Sequence, residues 1–201
     1  MPSRLPYLRY DELDPGRRSL WDAIAASRGD DLVNADGGLI GPFNAFLHAP
    51  GVGRQLTALG HEVRFETSIG RRLSEVAIIT VAAWWKAEFE WWAHAPMARR
   101  HGVAGAVVDA IGRGEDPVSG EDDERTVHAV ARQLTASGHV APAPTRLRGS
   151  SSATPALSSL CRCVAITRWC RSCSTRSPCH CRPGRRRCGA AQAERARPGQ
   201  L

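Results

Sequence analysis

Residues 74–103 read SEVAIITVAAWWKAEFEWWAHAPMARRHGV, and this stretch decides the fold. Its first half, EVAIITVAAWWKA, is apolar on nearly every side. A helix of that kind is buried, either in a core or against another subunit. Its second half, EFEWWAHAPMARRHG, ends in Arg99, Arg100 and His101 followed by Gly102, a helix-stop signature of basic last turn and glycine. A short turn near Lys86–Glu88 would set the two helices antiparallel. Pro96 removes one backbone hydrogen bond and predicts a kink just after His94.

Outward from this hairpin the helical pattern continues. Leu13, Leu20, Ile24 and Ala25 fall near helical spacing, with Gly29 as a stop. GDDLVNADGGLIGPFN reads as a loop. Val52, Leu56, Leu59 and Val63 form a helical stripe at i, i+4, i+7 and i+11. VAGAVVDAIGRG reads as a short helix and DDERTVHAVARQLTASG as a longer one ending at Gly138. No strand-like alternation persists, so the fold class is all-α. The longest apolar run, Val76–Trp85, is half the length that spans a bilayer, and the N-terminus lacks an apolar signal core. The expectation is a cytoplasmic protein with no membrane partner.

The same hairpin carries the candidate chemistry. Glu75 opens the first helix, and Glu90 and His94 share a face of the second at i and i+4. A carboxylate that accepts an imidazole N–H fixes the tautomer and makes a proton relay suited to acid–base work. Trp84, Trp85, Trp91 and Trp92 would wall the site, and burial beside them is expected to push the glutamate pKa values upward. The same residues equally suit a satisfied core pair and a core or subunit-interface tryptophan cluster.

RLPYL (Arg4–Leu8), GPFNAFLHAPGVG (Gly41–Gly53) and above all Arg72–Gly102 resemble the carboxymuconolactone decarboxylase family, which includes the alkylhydroperoxidase D-like proteins. The resemblance implies an oligomeric helical domain over residues 1–140, burying the faces of Trp84–Trp92 between copies. The peroxidase branch carries a glutamate, then CxxC, then a histidine four residues on. Glu75 and His94 match the glutamate and histidine, but the cysteine positions fall on Ala87 and Glu90. Thiol-dependent peroxidase activity needs a thiolate and a resolving thiol, so it is disfavoured for this body. The branch without CxxC implies a cofactor-free lyase that removes CO₂ from a small carboxylated lactone. His94 would then be the proton donor, with Glu75 and Glu90 orienting it. Arg64, Arg71 or Arg72 could pair with a substrate carboxylate, and Trp84 and Trp91 would line the substrate.

Residues 141–201 break the pattern. They hold 12 arginines against one acid and all seven cysteines, whereas residues 1–140 hold 15 basic against 19 acidic residues. The basic character belongs to the tail, which argues against a nucleic-acid partner for the body. Cys170, Cys173, Cys179 and Cys181 lack the spacing of a known zinc module, so no metal site is expected. Read one base out of frame, every cysteine codon becomes Leu, Val or Met, and Thr175–Pro178 becomes Asn-Ala-Phe-Ala. The family's last apolar helix then reappears. A frameshift between about Ala141 and Thr145 accounts for the whole tail. It makes an inactive product of a broken frame the alternative to an enzyme. On this reading residues 141–201 are disordered or loosely helical, and an apolar face of the body is left uncovered.

Overall fold

The computed structural model describes residues 5–28, 32–140, 158–165 and 167. Among them a 3₁₀ turn, Tyr10–Glu12, precedes α1 (Pro15–Arg28), α2 (Pro42–His48), α3 (Pro50–Phe65), α4 (Gly70–Trp84), α5 (Glu88–Arg100), α6 (Gly105–Arg113) and α7 (Asp122–Ser137). Residues 158–165 are helical as well. The described residues contain no strand, only isolated bridges between Arg9 and Gly38 and between Val33 and Leu39. No described helix is long and apolar enough to cross a membrane.

α4 is the central element, packed against α5, α6 and α7. It is rich in β-branched residues (Val76, Ile78, Ile79, Thr80, Val81), which cost up to about 0.7 kcal/mol each relative to alanine in a helix. Burial outweighs this, because every residue from Leu73 to Ala82 is buried and a buried aliphatic side chain contributes roughly 1.5–3 kcal/mol. Glu75 does not open α4: the helix starts at Gly70, and the Ser74 hydroxyl donates back to the Gly70 carbonyl at 2.9 Å. The α4–α5 turn falls where expected, with Lys86 at φ 51° and the Ala87 amide donating to the Ala82 carbonyl at 2.8 Å. α5 runs on through Pro96 to Arg100. α7 opens with a capping box between Glu121 and Glu124 and closes on a left-handed Gly138.

Two apolar clusters result. The larger joins Val63 and Ile69 to α4, α5, α6 and α7. The smaller joins α1, α2 and Leu39, with Phe89 of α5 completing it. Three sequence expectations are corrected here. GPFN is not the tail of a loop: Pro42 at the first helical position starts α2. The α3 stripe is rotated, with Val52 and Leu59 exposed and Gly53, Gly60 and Val63 buried. A Cβ on Gly53 would lie 2.6 Å from the Phe46 carbonyl oxygen, so the glycine face is what admits α2. Third, part of the tail does cover the body. Leu160, Cys163 and Val164 join the larger cluster, and Thr167 is also buried. Ser159 Oγ meets Ser68 Oγ at 2.9 Å. Positions 160, 163, 164 and 167 are i, i+3, i+4 and i+7, a helical stripe that the arginine and cysteine content obscured. Cys170, Cys173, Cys179 and Cys181, where no metal site is expected, lie outside the described residues.

Candidate acid–base site

The α4–α5 hairpin brings Glu75, Glu90 and His94 together. His94 Nδ1 lies 2.8 Å from Glu75 Oε2, and His94 Nε2 lies 3.6 Å from Glu90 Oε2. Glu75 is 1% exposed and His94 7%. At 2.8 Å from a carboxylate, Nδ1 carries the hydrogen and donates it, so the remaining nitrogen, Nε2, is the one able to exchange a proton. Burial pushes the Glu75 carboxyl upward, but the hydrogen bond from His94 opposes it, joined by the charges of His94, Arg64 and Arg71. The carboxyl ends below the ordinary range. The expected upward shift is therefore reversed for Glu75: the hydrogen bond from His94 and the positive charge around it outweigh the loss of solvent.

Glu75 Oε1 is buried with no hydrogen bond and lies 3.6 Å from Arg71 Nη2. The same Nη2 is 3.4 Å from His101 Nε2 at the end of α5. Phe65, at the end of α3, lies beneath two guanidinium groups, those of Arg71 at 4.5 Å and Arg64 at 5.2 Å from its ring centre. Arg64 thus falls within charge range of Glu75. Arg72 pairs elsewhere. Its fork holds Glu124 Oε1 and Asp123 Oδ2, each at 2.6 Å, and clamps α4 to α7. Nor do the two tryptophans form one wall. Trp91 packs on α6, where its ring fills the place of a Gly112 side chain. Trp84 is 43% exposed and faces α7, with Arg132 5.7 Å from its ring centre.

A thiol also approaches Glu75, from the tail. Cys163 Sγ lies 4.0 Å from the Val63 carbonyl, beside Ser74. Burial pushes this thiol up to about 12, and the Glu75 charge adds to the rise. It is protonated at neutral pH, the opposite of what nucleophilic sulfur chemistry needs.

One cluster was not anticipated at all. On the α7 side of α4, His128 Nδ1 lies 3.0 Å from Thr80 Oγ1, and His128 Nε2 lies 3.2 Å from Asp116 Oδ1. Arg132 Nη1 donates to the same Asp116 oxygen at 2.5 Å. Thr80, Trp84, His128 and Arg132 line a shallow cleft of about 70 Å³. Burial lowers the His128 pKa, against the pull of Asp116. The spacing of His128 and Arg132 at i and i+4 was visible in the sequence, but Thr80 is 48 residues away and only packing supplies it. Comparison with protein-family models, curated proteins and solved structures finds no match to this chain.

Proposed function

We propose that Glu75, His94 and Glu90 form the acid–base centre of a cofactor-free lyase, similar to carboxymuconolactone decarboxylases, acting on a small carboxylated lactone. One observation carries the reading: Nδ1 of His94 is tied to a buried, ionised Glu75, while Nε2 faces Glu90 at the longer distance of 3.6 Å. The tie fixes the ring and its tautomer, which leaves Nε2 as the nitrogen that takes up and delivers the transferable proton. In the reaction, the bond between the substrate carbon and its carboxylate breaks and CO₂ leaves. The electron pair stays on that carbon, delocalised into the conjugated lactone. The Nε2–H bond then breaks as a C–H bond forms, and solvent returns the proton to His94. The net change is carboxylate plus one proton to C–H plus CO₂.

The test is CO₂ release from small carboxylated lactones by the wild type and by His94→Gln. A positioned general acid contributes about a hundred- to ten-thousandfold, and a loss of that size is expected. Turnover unchanged in the variant would remove the role of His94 and leave the Glu75–His94 contact as a structural tie between α4 and α5. The peroxidase reading is disfavoured by the protonated Cys163 thiol and by Ala87 and Glu90 at the two cysteine positions. Peroxide consumption that survives alkylation of all thiols would reopen it. The composition change at residue 141 supports the third reading, an inert product of a shifted frame. A re-read of the coding DNA from the Gly138 to the Cys161 codon tests it.

A further inference from the structure

Two adjacent arginines on α4 are used in opposite ways. Arg72 has both terminal nitrogens in tight contacts with carboxylates at 2.6 Å. Arg71 holds no contact of that quality. Its Nη2 is 3.6 Å from Glu75 Oε1 and 3.4 Å from His101 Nε2, and its Nε is buried without a hydrogen bond. A guanidinium offers five N–H donors in a planar fork that matches a carboxylate, so most of this donor capacity is unused. Glu75 cannot use it: its side chain is 1% exposed and already bound through Oε2 to His94, leaving Oε1 too far from Arg71 for a hydrogen bond. The surroundings favour an anion. Arg64 shares the Phe65 ring with Arg71, and His101 closes the α5 side. Arg71 is itself partly exposed and Phe65 is exposed, so a small solute can reach the fork from solvent.

We propose that Arg71, with His101 beside it, binds a carboxylate of the substrate at the solvent end of the Glu75–His94 pair. The substrate-binding arginine is then Arg71 rather than Arg72. As a statement about substrate, the inference rests on the lyase reading above. The bound carboxylate is one that stays on the substrate, because a fork gripping the departing group would stabilise the starting state rather than the transition state.

The experiment is calorimetric titration of the full chain with malonate, using malonamide as the uncharged control. Malonate is expected to bind the wild type and malonamide not to. Loss of a charged hydrogen bond predicts that Arg71→Gln raises the malonate Kd by about ten- to a hundredfold. Arg113→Gln, at an exposed position elsewhere, should leave it within about twofold. Arg71→Lys keeps the charge without the fork and should weaken binding by an intermediate factor. If the glutamine variant does not fold, the lysine variant decides. No malonate binding by the wild type, or a Kd unchanged in the Arg71 variants, overturns the inference. Arg71-dependent malonate binding without CO₂ release from any lactone tested leaves the anion site standing and removes the lyase reading. CO₂ release with unchanged KM in Arg71→Gln does the reverse.

Discussion

α4 holds a histidine on each of two sides, and the two are built differently. His94, from α5, leans on Glu75, a carboxylate 1% exposed. His128, from α7, leans on Asp116, whose side chain is 75% exposed and already shared with Arg132. Both rings are buried and both have a polar partner near each nitrogen. What differs is where the negative charge sits. A buried carboxylate cannot turn to water when its partner is lost, so it stays committed to the imidazole. An exposed one is screened and exchangeable. The first arrangement can hold a proton in place for chemistry, and the second fastens the loop after α6 onto α7.

The largest expected effect tests that difference directly. His94→Ala strands an ionised Glu75 and should cost about 3–5 kcal/mol of stability, the range for removing one partner of a buried pair. His128→Ala leaves Asp116 in solvent with Arg132, and leaves the Thr80 hydroxyl its bond to the Val76 carbonyl, so about 1–3 kcal/mol is expected. Urea denaturation of both variants checks this, and equal losses would erase the distinction. The carboxylates should show the same order with smaller numbers. Glu75→Gln keeps the shape but not the charge and should cost about 1–3 kcal/mol, against under about 1 kcal/mol for Asp116→Asn.

Acid sharpens the comparison further. The Glu75 carboxyl is held below its ordinary value of 4.5, so its stabilisation is complete above that pH and is lost as pH falls through the lower folded value. The His128 imidazole is held below its ordinary 6.5, chiefly by burial. There the unfolded chain takes up a proton that the folded one refuses, so stability declines as pH drops below about 6.5. Stability against pH should therefore show two acid limbs. His128→Asn should flatten the upper one and Glu75→Gln the lower. A single limb, removed by one variant alone, would mean that only one histidine cluster responds to protons.

How much of this was legible in the sequence depended on distance along the chain. The all-α class, the α4–α5 turn and the Gly138 stop were readable because apolar period, glycine and basic last turns are local signals. Glu90 and His94 were readable as neighbours because one helix turn separates them. The stripe on α3 misled because Val52 and Leu59 are apolar yet exposed, while the buried face is made by glycines, which carry no hydropathy signal. The 158–167 stripe was present but hidden in a basic, cysteine-rich composition.

Sequence alone determined that α4 is buried and that α5 presents Glu90 and His94 on one face, since both follow from side-chain type and a period of 3.6 residues. Tertiary structure alone decided that Arg72 is consumed by Asp123 and Glu124 while its neighbour Arg71 turns toward Glu75. It also decided that Glu75 stays ionised and that Thr80 meets His128. The physical reason is common to all of these. A charge takes its properties from whatever lies within a few ångströms, and helix packing, not order along the chain, fills that space.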